Sequence, residues 1–327
     1  MNTELDSGDS VEEALARLQT AEELQHYVCV KGNGSRTCDV IDVAIRILKE
    51  SDGDVKCNMT SVCLDLYEQG FLKTPCGGRS RRVPPETPGK DARLEFVGAH
   101  QMPNRGKGGS LASRQAILHS LVHIEGCAVD LALDIMARFG EENATVLTDA
   151  FYHDFLVVAS DEARHYQELK KRLRDTGMEY GDLPVHEGLW ESAMETKHSL
   201  PARLAVESCV HEARGLDILP QTIARFRKGG DEESAALLEK VVYPEEITHC
   251  AVGVSWLKRL FDAARQGNCS DVPWVKEALE FDSVECWFHW LVRNHFRGNL
   301  KPPFNEQARS KAGFSKEWYM PLATKSG

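Results

Sequence analysis

Apolar positions recur at three- and four-residue intervals over most of this chain, the period of helices that bury one face. Three short runs come first, at 11–28, 38–49 and 60–71, with breaks at Gly32-Asn-Gly-Ser35 and Ser51-Asp-Gly-Asp54. The period lapses over 75–109, where Pro, Gly, Arg and Lys dominate, Arg79-Ser-Arg-Arg82 and Pro84-Pro85 included; that composition predicts an extended, solvated linker. Four long runs follow. One spans 110–139 and stops at Gly140; the next spans 145–176 and stops at Gly177. The third, 201–228, has Pro201 in its first turn and Pro220 inside. The last leaves Gly229-Gly230-Asp231, runs to about 266, and carries Pro244 inside. Kinks are expected at both internal prolines. The middle connection, about 24 residues with a short amphipathic piece at 186–197, is longer than an up-down-up-down bundle needs and fits a crossover along the bundle. An aromatic-rich stretch at 271–297, then Lys301-Pro-Pro-Phe304 and Trp318-Tyr-Met-Pro321, is too apolar to float free, and is expected to cover the bundle as a strap or a lid.

The expectation is therefore an all-α protein. It has a helical section at 1–75, a linker at 76–109, a four-helix bundle at 110–268 with a long crossover between helices two and three, and an aromatic extension at 269–327. Composition narrows the setting. No run of eighteen apolar residues exists, so no membrane span is expected. The net charge of −11 argues against a nucleic-acid partner. The polar, acidic start resembles neither a secretory signal nor a transit peptide, and ten scattered cysteines match no zinc spacing; reduced thiols in the cytoplasm are expected.

The candidate chemistry lies in two copies of one spacing, Glu162-Ala-Arg-His165 and Glu246-Ile-Thr-His249. Residues three apart share a helix face, so each pair can aim at one point. Glu125 and Glu212 are central in the apolar stripes of the other two long runs. All four glutamates fall about 25–30 Å from their turns at 1.5 Å per residue, near mid-bundle. Four buried carboxylates repel one another, and two divalent cations resolve that. This pattern, two Glu and two Glu-x-x-His on four helices, is that of carboxylate-bridged di-metal bundles. Glu207, about 140° round an α-helix from Glu212, ranks below it, as a ligand that joins late or a residue that supports the ligands. His123 and His153 point away from their neighbouring glutamates, His119 and His123, four apart, read as satisfied structural residues or as a separate ligand pair, and His211 sits beside the site. Tyr243, three before Glu246, faces the site, as a packed core residue or as a redox or hydrogen-bonding group. The small Ala128 and Gly215 stand where the other helices carry His; they leave room for a ligand or permit close helix packing.

At His123-Ile-Glu125, Asp161-Glu-Ala-Arg-His165, Tyr180-Gly-Asp-Leu-Pro184, Glu212-Ala-Arg-Gly-Leu-Asp217, Glu246-Ile-Thr-His249 and Leu300-Lys-Pro-Pro-Phe-Asn305 the chain resembles the ferritin-like superfamily, and within it the uncharacterised family DUF455. The resemblance covers about 80–322 and departs at Pro244-Glu245. It implies a ferritin-like bundle and a di-iron centre, two Fe per chain with Mn as an alternative, held by Glu125, Glu162, His165, Glu212, Glu246 and His249. It supplies no reaction. The first expectation is a dioxygen-activating oxidase or monooxygenase with a small-molecule substrate, a reductase partner, and a monomeric or small oligomeric state. The alternatives are an iron-handling ferroxidase or storage protein and a metal-free helical interaction module.

Overall fold

A computed structural model describes residues 19–31, 39–75, 82–267 and 272–324. The protein is all-α; among the described residues there is no strand, only isolated bridges such as Asp39 with Lys73 and Phe96 with Val185. The helices are α1 (Ala21–Lys31), α2 (Val40–Leu48), α3 (Gly53–Glu68), α4 (Leu111–Phe139), α5 (Asp149–Asp175), α6 (Gly188–Glu195), α7 (200–228) and α8 (232–266). Four short ones follow: α9 (Pro273–Ala278), α10 (Val284–His295), α11 (Glu306–Lys311) and α12 (Lys316–Tyr319). The chain forms two compact units, one of residues 1–94 and 124–168, the other of 95–123 and 169–327, so α4 and α5 contribute residues to each.

In the first unit, α2 is buried along nearly its whole length (Val40, Ile41, Val43, Ala44, Ile45, Ile47, Leu48). Its start is fixed by a capping box: Asp39 accepts from the Ile41 and Asp42 amides, and Asp42 accepts from the Asp39 amide. The third helix begins earlier than its apolar period. Asp52 accepts from the Asp54 and Val55 amides, so the residues read as a break are its cap and first turn. In the basic run of the expected linker, the solvated reading is overturned at Arg82. Arg82 bonds Asp39 (2.5 Å), Asp42 (2.7 Å) and Glu141 (2.6 Å), tying the strap to α2 and to the end of α4. Three carboxylates at one buried edge need a cation, and a guanidinium offers enough donors to serve all three. Arg79, Ser80 and Arg81 lie outside the described residues, as do 1–18 and the break at 32–35. Further along α4, buried Asp130 is matched by Lys56 at 2.6 Å. By length and composition α4 could cross a membrane, but half of its most apolar stretch is buried inside the protein and Glu125, Asp130 and Asp134 are buried on it, the character of a core helix.

The second unit contains α7 and α8, joined at Gly229-Gly230. The left-handed φ of +77° at Gly230 suits glycine, and Asp231 caps α8 through the Ser234 amide while pairing with Arg172 at 2.9 Å. Neither helix is regular. Leu204–His211 in α7 and Leu238–Val242 in α8 are π-helical. The second stretch ends just before Pro244, which lacks the amide that an α-helical ladder would require there. Pro220 stays inside α7 and likewise withholds a donor from the Leu216 carbonyl. Asn305 supplies one instead, its Nδ2 donating at 3.1 Å. Asn305 also takes Asp217 Oδ1 on its amide (2.7 Å) and donates to the Tyr243 hydroxyl (2.7 Å). Arg309 clamps Asp217 in bidentate fashion and lies over the rings of Phe304, Phe314 and Tyr319. The aromatic extension is therefore docked, with Trp287 and Trp318 fully buried, and its Pro-Pro-Phe-Asn turn completes the hydrogen bonding of α7.

His119 and His123 hold the crossover's start. His119 Nε2 accepts from the Gly181 amide at 3.0 Å, and His123 bridges the Tyr180 hydroxyl (2.8 Å) and the His186 carbonyl (2.9 Å). Burial, then the charge of His123, pushes His119 down to about 4. Its folded value lies below its unfolded value near 6.5, so the unfolded chain binds more protons between them. Stability from this group is present above about pH 6.5 and is lost as pH falls towards 4, by up to about 3 kcal/mol. Urea midpoints of metal-free protein between pH 7 and 4 should fall more steeply for wild type than for His119→Gln, whose side chain can accept the same amide but does not titrate. Parallel profiles would assign the loss to other groups.

Candidate metal centre

Two triads of metal-ligand side chains form, one in each unit. In the first, Glu125 of α4 meets Glu162 and His165 of α5, with one ligand atom from each lying within 4.8 Å of the others. All three are buried, Glu162 and His165 at 1% and 0% exposure. In the second, Glu212 of α7 meets Glu246 and His249 of α8 within the same 4.8 Å limit. Glu246 and His249 are buried and Glu212 is partly exposed, the most open of the six. Every metal ligand expected from the sequence falls in one triad or the other, each built as one glutamate plus one Glu-x-x-His.

The local reason is helical register. α5 is regular through Glu162 and His165, and α8 is regular again from Tyr243 onward, so each Glu and His three apart share a face. Within the first pair, His165 Nδ1 lies 3.3 Å from Glu162 Oε2. Donor atoms bound side by side to one first-row metal, with bonds of about 2.1–2.2 Å, stand about 3 Å apart. That spacing and the mixed carboxylate and imidazole donors fit iron, manganese or zinc rather than calcium or magnesium.

The second triad has a thiol lining. Cys209, three before Glu212, and Cys250, one after His249, are both buried. Burial first pushes both thiols up, followed by the charge of Cys250 and then Glu212 at Cys209 and by that of Glu212 at Cys250, so they stand as neutral, apolar neighbours. Gly215 faces this triad: a Cβ there would lie 3.5 Å from Glu246 Oε2, ordinary contact. Gly253, one turn beyond His249, is where α7 and α8 touch backbone to backbone, since a Cβ there would overlap the Ser208 carbonyl.

The remaining sequence candidates make other contacts. His153 is exposed and pairs with Glu68 at 3.1 Å. His123 serves the crossover. The Tyr243 hydroxyl accepts from Asn305 Nδ2 at 2.7 Å. Glu207 differs most from its sequence reading. The 140° offset from Glu212 assumes an α-helix, but the two are five apart across the π-helical stretch, whose bonds join residues five apart. Glu207 is buried, with Ser192 donating to its Oε1 at 2.8 Å and His211 Nε2 at 3.9 Å from its Oε2. Sequence periodicity missed both this cluster and the Asn305 bridge. The one signal for the latter was Pro220, which required a donor from elsewhere for Leu216.

An uncharacterised protein of Haemophilus influenzae (strain ATCC 51907 / DSM 11121 / KW20 / Rd) is 32% identical to this chain over 203 residues. The match covers 62% of this chain and 65% of that protein, so the chain spans somewhat under two thirds of its relative's length. No solved structure matches. The family model described as "Protein of unknown function (DUF455)" matches residues 49–320, nearly the whole described chain, and this protein belongs to that family.

Proposed function

We propose that the two triads together hold a pair of iron or manganese ions as one carboxylate-bridged centre in a ferritin-like bundle, and that the protein uses it as a dioxygen-activating oxidase or monooxygenase. The observation that carries this reading is the pair of triads, each a glutamate with a Glu-x-x-His, almost wholly buried and with ligand atoms within 4.8 Å of one another. Four carboxylates at such sites need compensating charge, and two divalent ions match it. A redox-active ion held by carboxylate and imidazole donors supplies a place where dioxygen can bind and be reduced.

The chain's own residues do the rest. Glu125, Glu162 and His165 would hold one side of the centre, and Glu212, Glu246 and His249 the other. The partly exposed Glu212 and the bare backbone of Gly215 leave that side the more open to a small substrate. The neutral thiols of Cys209 and Cys250 keep water and competing charge away from it. Location in the cytoplasm, with an electron-donating partner, belongs to the same reading.

Storage is the competing use of such a centre, and assembly separates the two. Closed storage shells need bare bundles, whereas this chain carries a docked aromatic extension after α8. Purified protein is expected to elute as a monomer or small oligomer with two metals per chain, whose spins are coupled. Given Fe(II) and oxygen, it should oxidise only stoichiometric iron and then wait for reductant and substrate. A particle of a dozen or more subunits that accumulates hundreds of irons would replace the enzyme reading with storage, and two magnetically independent ions would replace the paired centre with two separate ones.

A further inference from the structure

Glu207 is a buried carboxylate that the paired centre does not use, and unlike Asp130 and Asp231, which meet Lys56 and Arg172, its neighbours are a hydroxyl and an imidazole. Its side chain is 4% exposed, and its Oε2 has no hydrogen-bond partner. Its polar contacts are Ser192 Oγ, which donates to Oε1 at 2.8 Å, and His211 Nε2, 3.9 Å from Oε2. Ser192 Oγ lies 3.3 Å from the same His211 nitrogen, so three different donor atoms converge. One carboxylate oxygen is therefore buried without a hydrogen bond, an arrangement that is costly unless a cation joins it.

We infer that Ser192, Glu207 and His211 form a third, separate divalent-cation site on the π-helical stretch of α7. The distances suit it. Bonds of about 2.1–2.2 Å span 3.9 Å between an oxygen and a nitrogen at a bond angle of about 125–135°, within the range of a tetrahedral or distorted five-coordinate ion. The donor set is one carboxylate, one imidazole and one hydroxyl, which selects Mn(II), Fe(II) or Zn(II) over calcium. Glu207 and His211, four apart on α7, share one side of the helix, and α6 completes the cluster by placing Ser192 against both. His211 is the outer member, 19% exposed with Phe296 edge-on at 5.6 Å, which leaves a cation a route to Glu207 from solvent. With fewer charged ligands than the paired centre, this site binds more weakly and exchanges faster, as a site of metal entry does.

The inference does not depend on the paired centre, and one titration tests both. Full-length protein stripped with chelator is titrated with Mn(II) and followed by equilibrium dialysis and electron paramagnetic resonance. Wild type should take three ions per chain: a coupled pair, and a third, isolated ion bound at least about tenfold more weakly. Glu207→Gln should lose the isolated ion and keep the pair. Ser192→Ala removes a ligand without stranding a charge, and should weaken the isolated ion about tenfold with an unchanged helical signal; it decides the matter if Glu207→Gln does not fold. Wild type saturating at two coupled ions, an isolated ion that persists in Glu207→Gln, or one of undiminished affinity in Ser192→Ala overturns the third site. One isolated ion in wild type and none in Glu207→Gln would instead keep this site and remove the paired centre.

Discussion

His165→Ala and His249→Ala should each strip at least one metal ion per chain, whereas His123→Ala and His153→Ala should leave the metal content at its wild-type level. Each of the first two is the only imidazole of its triad, with ligand atoms of two glutamates within 4.8 Å of it. Its loss leaves two carboxylates to hold a first-row ion, with the nitrogen donor gone and a space behind it. An affinity loss of about a hundredfold or more is expected, beyond the 10–100-fold typical of residues that only orient ligands. His123 is spent on Tyr180 and the His186 carbonyl, and His153 on Glu68 at the surface. Replacing His123 should therefore cost stability in the crossover without a change in metal content. Metal analysis of the four purified variants, with circular dichroism as a check on folding, decides the matter. Retention of both ions in His165→Ala and His249→Ala would remove these triads as the ligands.

Gly253→Ala is expected to be the most damaging single methyl in the second unit. The added Cβ would overlap the carbonyl of Ser208, a backbone group of α7 that no side-chain rotation can move aside. The two helices must separate or bend, at about 1–3 kcal/mol or more by the measure of overpacked cores. Because α7 carries Glu212 while α8 carries Glu246 and His249, the same displacement spreads the second triad. A lowered melting temperature together with weaker metal binding is the expected result. Gly215→Ala is the matched control, since its Cβ would rest 3.5 Å from Glu246 Oε2 in ordinary contact. It should fold and bind metal as wild type does, while Gly215→Leu should lose metal without losing fold, because the larger side chain must share space with the Glu246 carboxylate. Equal melting temperatures for Gly253→Ala and Gly215→Ala would contradict the backbone contact between α7 and α8.

The six triad residues were legible in the sequence because their arrangement is local and periodic. Two Glu-x-x-His spacings and two glutamates, each central in an apolar stripe, need only a regular helix to define a face. The cap at Asp231 and the turn at Gly230 are local in the same way, and the same register turned His123 away from Glu125, where it holds Tyr180 and the His186 carbonyl. Three features were decided by tertiary structure alone. Arg82 read as part of a solvated basic run because a charge shows its burial only through its partners, and Asp39, Asp42 and Glu141 are 40 or more residues away in sequence. Glu207 takes its hydrogen bond from Ser192 on α6, a contact between helices that no period along α7 can show. The role of Asn305 is the third. Pro220 announces that the Leu216 carbonyl lacks its helical donor, but which residue replaces it depends on where the extension docks, 89 residues later. Period and cap chemistry are fixed by neighbours along the chain. Charge compensation, contacts between helices and the repair of an interrupted ladder depend on groups that only folding brings together.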